Sequence, residues 1–324
     1  MAVEPDDAKF ISKLDETSKQ KAKEELNERN DKDRELAVQT LRQWILEQDW
    51  LKTPTDFQFL LRFLRARKYS QLGARETLEN YWTVRTKFPD WCKNVDPGEE
   101  VLQEIIKSGI IVCPKRYDNE GRRVLIDRTA HIDVDEANQK WGLKNVFRAL
   151  VLVSDWYCLD ENVQVNGMQV LFDASDITLN TATTIFTGEN GKNLIKYYQR
   201  SQPVRVKRLN LYKQPSFFDT IFAIIKPLMS EKMRNRVKLH GNSMVSVYKD
   251  IDRSVLPTEY LPDDYTGPSA GPLKGIIDEM LEDMMVPEFR SYIRNLSSEK
   301  HRVDFFKRKR DDQPAESFRK LHAE

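Results

Sequence analysis

Past Pro97 the chain repeats one pattern: short apolar runs, VLID (124–127), MQVLFD (168–173) and VKRLNLY (206–212), alternate with helical stretches near 143–160 and 181–200. Runs that far apart cannot pair through a tight hairpin. A helix between two strands returns the chain to the same end of the sheet, so the strands lie mostly parallel and the crossovers are right-handed. This pattern predicts an α/β domain over residues 98–285. Ahead of it, over 36–97, apolar residues recur at helical spacing (Leu41/Trp44/Ile45, Phe59/Phe63) with Pro54 and Pro89 as breaks, which predicts a small all-helical unit. Residues 1–35 alternate in charge with few apolar anchors and read as a solvated or partly disordered arm. Residues 286–324 read as a helical and then charged tail, peripheral from Ser297 onward and including KRKRDD.

Fifty-two Lys and Arg face 51 Asp and Glu, so the chain carries no global field for nucleic acid, and any charged partner must meet a local patch. Cys92, Cys113 and Cys158 are odd in number and widely spaced, which fits a reducing compartment and neither a disulfide framework nor a zinc site. The first 20 residues lack the apolar core of a signal peptide, and no apolar run is long enough for a membrane span, so the expectation is a cytoplasmic protein; it is also expected to be a monomer.

A parallel sheet invites a nucleotide, yet the turns after its strands lack the glycines that let backbone approach a phosphate: 168–173 runs into Ala174-Ser175-Asp176 and 206–212 into Lys213-Gln214-Pro215. GxSxG and HExxH are absent, and His131, His240, His301 and His322 are scattered. The expectation is therefore no enzyme, no cofactor and no metal. Asp173 and Asp176 read as turn or cap residues rather than an acid pair, and His131 as structural.

One segment combines two unlike textures. At about 100° per residue, Phe217, Phe218, Ile221, Phe222, Ile224, Ile225, Leu228 and Met229 share an arc of roughly 160°, opposite Asp219, Ala223 and Lys226. Directly after it, Ser230 is placed to cap a helix carrying Lys232, Arg234, Arg236 and Lys238, and Arg200, Arg205, Lys207, Arg208 and Lys213 add five bases upstream. The pattern admits two readings, core packing beside a solvated face or a membrane-docking surface, in which each base near an anionic leaflet contributes roughly 1 kcal/mol.

The segment IIKPLMSEKMRNRVKLHG, preceded by PVRVKRLNLYKQPSFF, resembles the gate region of the CRAL-TRIO lipid-binding and transfer family, in particular its tocopherol- and retinaldehyde-carrying branch. FLLRFLRARKYS (59–70), GRRVLIDRTAHID (121–133) and NGMQVLFDASD (166–176) extend the match over about 36–290. YLPDDYTGPSAGP (260–272) departs from the family's short glycine turn and resembles arthropod members. The resemblance implies a helical N-terminal domain packed on an α/β domain whose sheet floors a hydrophobic cavity, closed by a mobile helical lid.

By position, the resemblance also implies a cavity lined by Phe147, Ser154, Met168, Phe172, Leu179, Leu194, Leu209, Ile221, Phe222 and Ile225. It implies a phosphoinositide site at Arg67, Arg205, Lys232 and Arg236, where Arg205 replaces a Lys of relatives and so keeps charge with altered geometry. The function implied is binding of a retinoid, tocopherol or similar isoprenoid lipid and its transfer between membranes, with transient association to an anionic surface. Alternatives are a phosphoinositide-sensing adapter and a phospholipid exchange protein.

Overall fold

The computed structural model describes residues 10–308. Asp15 caps α1 (Glu16–Leu26) by accepting from Ser18 N at 2.6 Å. Leu14, Ser18, Ala22 and Leu26 fall every fourth residue and are buried, against Val165 among others. The arm expected to be solvated is therefore fastened, because a stripe one residue wide suffices to dock a helix that is charged on every other face. Behind it, buried Glu28 accepts from Arg65 Nε at 2.8 Å and Nη2 at 2.9 Å, and from Arg34 Nη1 at 2.9 Å. These bonds outweigh burial and hold the Glu28 carboxyl below its usual range.

Asn30, Asp56 and Ser70 cap α2 (Asp31–Glu47), α3 (Phe57–Ala66) and α4 (Gln71–Lys87), with β1 (Leu51–Lys52) between the first two. Their apolar faces form one cluster containing Val38, Leu41, Phe59, Phe63, Leu78 and Trp82. The short α5 (Pro89–Cys92) leads into α6 (Glu100–Lys107) and the α/β unit.

That unit is built on a five-stranded sheet in the order β2 (Ile111–Val112), β3 (Arg123–Asp127), β4 (Met168–Asp173), β5 (Val206–Tyr212), β6 (Val237–Leu239). Only the β2–β3 pair is antiparallel. Between β3 and β4 run α7 (Val134–Lys140), α8 (Leu143–Tyr157) and α9 (Glu161–Asn166); between β4 and β5 run α10 (Leu179–Phe186), α11 (Gly188–Lys196) and a π-helical turn, Tyr197–Ser201. Between β5 and β6 run α12 (Phe218–Ile225) and α13 (Glu231–Arg234). Strands in sequence order with crossovers of one hand put all connecting helices on one face. Gly167 opens β4 at φ +78°, where a Cβ would meet Arg205 O at 2.4 Å, so glycine is required there.

The opposite face is closed differently. Gln169 donates to Asp118 at 3.2 Å and accepts from Asn210 at 3.3 Å, and Asn210 accepts from His240 Nε2 at 3.0 Å, forming a satisfied polar ladder from β4 through β5 to the residue after β6. After α14 (Met244–Val247), α15 (Leu273–Met285) lies against β2, where Cys113 N donates to Met280 Sδ at 3.2 Å.

The C-terminal segment is not peripheral up to Val303. From α16 (Pro287–Leu296) the chain returns to the helical unit: Leu296 and Val303 are buried in its cluster, β7 (Arg302–Val303) pairs antiparallel with β1, and Lys93 donates to Ser298 O and His301 O at 2.9 and 2.6 Å. The expected charged tail beyond Arg308 and the first nine residues lie outside the described residues. The helical and α/β units are joined through a buried pair, in which Arg85 Nη2 donates to both oxygens of Asp155 on α8 at 2.5 and 2.6 Å and Tyr81 adds a bond at 3.1 Å. Arg62 lies fully buried over the Phe59 ring at 4.2 Å.

The His301 ring lies tilted 5.4 Å from Trp82, and burial, with Lys300 and Lys93 adding repulsion, pulls its imidazole from 6.5 down to about 4. The unfolded chain therefore binds a proton that the folded chain refuses: the contribution to stability is whole above pH 6.5 and is lost as pH falls toward about 4. Urea unfolding at about pH 7 and about pH 5 should show wild type losing about 1–2 kcal/mol more than His301→Leu over that step. Equal losses would exclude His301 as a source of acid sensitivity.

Candidate ligand cavity and its basic mouth

Register fixes the cavity floor. Leu125, Val170, Leu209 and Val237 stand side by side across β3–β6, and Asp127, Phe172 and Leu211 form the next row. Because side chains alternate along a strand, both rows point to the helix-bearing face. There they bound a cavity of about 260 Å³, with Ala182 and Phe186 of α10, Leu194 and Ile195 of α11, Tyr198 of the π-helical turn and Tyr157 of α8 on its walls.

The roof is α12. Phe217, Phe218, Ile221, Phe222, Ile225 and Met229 face inward, and the Phe218 and Phe222 rings stack at 5.2 Å. Ile224 and Leu228, on one edge of the same arc, instead point to solvent, 50% and 36% exposed. The arc is thus split between cavity and surface. After a 3-10 turn, Lys226–Leu228, the roof is held at its end by Gln199, which accepts from Ser230 N at 3.1 Å, and by Arg234, which donates to Met229 O at 2.8 Å.

Of the residues expected in the cavity, Met168, Phe172, Leu194, Leu209, Ile221, Phe222 and Ile225 are brought together on its wall. Phe147, Ser154 and Leu179 are not. Phe147 instead stacks on Trp91 of α5 at 4.3 Å. Ser154 is fully buried, donating to Leu150 O at 2.8 Å and accepting from Tyr157 at 3.3 Å, which places it behind the wall. Leu179 stands in the first turn of α10 and is 54% exposed. Sequence reasoning missed Leu125, Asp127, Val170, Tyr157 and Tyr198. For the strand residues the signal was strand geometry, since every second residue of VLID and MQVLFD shares a face with Met168, Phe172 or their paired neighbours; nothing local marked the tyrosines.

The basic segment also differs from expectation. Ser230 does cap a helix, accepting from Met233 N at 3.2 Å, but α13 ends at Arg234 and the chain turns into β6. Lys238 is therefore on a strand and pairs with Asp250 at 2.5 Å, together with Arg208, while Lys207 meets Glu25 at 3.6 Å. What remains converges. Burial, and after it repulsion from Arg236, Lys68, Arg67 and Arg205, holds the Lys232 ammonium below its usual range. Arg205 is pulled down to about 10, by burial first and by Arg236, against the opposing pull of Glu25. Its Nη2 donates to the Gln164 and Val165 carbonyls, whereas Nε and Nη1 are buried with no protein partner among the described residues.

Asp173 and Asp176 form no acid pair. Asp173 is bonded by His131 Nε2 at 3.0 Å, Tyr260 at 2.6 Å and Ser175 Oγ at 2.5 Å, while Asp176 occupies a turn at φ +61°. Among the described residues no group of three or more His, Cys, Asp or Glu converges on a metal site, and no helix is long and apolar enough to cross a membrane.

Comparison with known proteins places this geometry. Residues 106–260 match the CRAL/TRIO domain and residues 30–102 the Pinta-like UBA domain. The mouse and human proteins named "Alpha-tocopherol transfer protein-like" are 34% and 33% identical over 262 residues, 79% of this chain and 73% of theirs. Human clavesin-2 is 30% identical over 206 residues, 64% of this chain and 62% of its own. The solved structure of Sfh5 aligns over 88% of this chain and 98% of that one at 13% identity and a TM-score of 0.49, too distant to add to the assignment. With its α/β sheet, its apolar cavity and relatives of this identity and coverage, the chain belongs to the CRAL-TRIO family of lipid-binding and transfer proteins.

Proposed function

We propose that the chain carries a hydrophobic small molecule, a retinoid, tocopherol or similar isoprenoid lipid, and delivers it between membranes as a cytoplasmic monomer that docks transiently on phosphoinositide-bearing surfaces. The observation that carries this reading is adjacency: Arg205, Lys232 and Arg236 each precede, by one residue, a residue of the cavity wall, Val206, Met233 and Val237. A headgroup phosphate taken by Arg67, Arg205, Lys232 and Arg236 thus pulls on the segments that close the cavity. The work is binding and release rather than turnover, as is general in the family. The name of the mouse and human relatives supports a tocopherol-like cargo.

The energetics set the mechanism. A ligand burying roughly 400 Å² of apolar surface gains on the order of 10 kcal/mol before binding costs, so release into water is slow. A membrane accelerates release only through differential affinity for the open state. Two features provide it: the basic cluster, whose mutual repulsion an anion relieves, and the exposed edge of α12, whose Ile224 and Leu228 enter lipid without leaving the cavity.

Lys232→Ala/Arg236→Ala should weaken partition onto phosphoinositide vesicles by about tenfold to thirtyfold, at roughly 1 kcal/mol per base, and slow transfer of a bound fluorescent lipid to the rate seen with neutral vesicles. Unchanged transfer in the double variant contradicts the headgroup site. Ile224→Asp/Leu228→Asp should lose vesicle binding while keeping affinity for the cargo in solution, since neither side chain lines the cavity. Parallel loss of both properties would mean that the outer edge of α12 is structural.

A further inference from the structure

The second row of the cavity floor breaks its own pattern. Its other members over the cavity, Phe172 and Leu211, are apolar, but Asp127 stands at the β3 end of the row. Thr129 satisfies only one oxygen, donating to Oδ1 from its N at 3.0 Å and its Oγ1 at 2.7 Å. No protein hydrogen bond reaches Oδ2 among the described residues. Burial pushes this carboxyl up, against the Thr129 bonds and the charge of His131. Tyr198, also a wall residue, has its hydroxyl raised by burial and by the Asp127 charge, against a smaller opposing pull from Ser154.

Among the described residues no Lys, Arg or His lines the cavity. A lipid carboxylate would therefore be buried beside a second carboxylate with no cation on the wall to meet it, His131 lying outside the lining and bonded to Asp173, which is costly. An aldehyde would accept from Tyr198 and leave Asp127 unsatisfied. A hydroxyl group meets both: it donates to Asp127 Oδ2 and accepts from Tyr198. We propose that Asp127 and Tyr198 form the polar end of the cavity and select lipids that end in a hydroxyl group over those that end in an aldehyde or a carboxylate. This rests on reading the cavity as the lipid site and adds the end-group chemistry of its cargo.

The test uses one polyene tail with three ends, parinaryl alcohol, its aldehyde and parinaric acid, titrated by fluorescence into the full chain. Wild type should bind the alcohol at least about tenfold tighter than the acid, the scale of one charge-assisted hydrogen bond, with the aldehyde between. Asp127→Asn keeps the shape and the acceptor for Thr129 but removes the charge, and should bring alcohol and acid within about threefold. Tyr198→Phe should weaken all three probes together. Acid binding as tightly as alcohol in wild type, or an Asp127→Asn variant that keeps the full gap, overturns the selection by Asp127 and leaves the cavity reading intact. Failure of all three probes to bind wild type overturns the cavity reading itself.

Discussion

The structure turns on an apolar sheet face that no helix fills. Leu125, Val170, Leu209 and Val237 in one row, with Phe172 and Leu211 in the next, present a hydrophobic floor, and leaving such area wet costs about 25 cal/mol per Å². The back face is closed by side chains in direct contact and by the Asp118–Gln169–Asn210–His240 ladder. The front face is roofed by an eight-residue helix standing off the floor. A second apolar body in the gap satisfies both surfaces, which is why the cavity, its roof and its family are one observation.

That roof is light where the rest is bolted. The helical unit is joined to α8 through Arg85 and Asp155, a pair whose loss of one partner is worth several kcal/mol in a buried setting, and the C-terminal segment returns to pair with β1. By contrast, α12 is held at its end by Gln199 and Arg234 and otherwise by its inward side chains. The basic cluster lies on the segments at that same end, with its charges opposed to one another. On the proposed reading, an anion taken there would relieve that opposition where a small displacement changes the closure.

Much of this was legible in the chain. Parallel strands buried on both faces read as apolar runs, so 124–127 and 168–173 stood out, while 206–212, only half-buried, was marked by Val206, Leu209 and Leu211. Val237–Leu239 did not, because three residues inside a basic stretch give no period of their own and the four-residue spacings of Lys232/Arg236 and Arg234/Lys238 imitate a helix. The first helix was hidden by charge, since its buried stripe is only Leu14, Ser18, Ala22 and Leu26. In the cavity, strand and roof positions were readable from period. Phe147 and Ser154 misled because α8 is buried nearly all round, so burial does not say which side meets the cavity. A strand-end Asp in VLID looks the same in sequence whether it serves a turn or a ligand.

The central claim, that the cavity holds one lipophilic molecule, is tested most directly by native mass spectrometry of the purified full chain followed by lipid extraction. The account predicts a single hydrophobic adduct per chain, lost when Phe172→Trp and Leu209→Trp fill the floor in a variant that still folds. A chain with no adduct even after incubation with lipid extract, or an adduct undiminished in the filled variant, would contradict it.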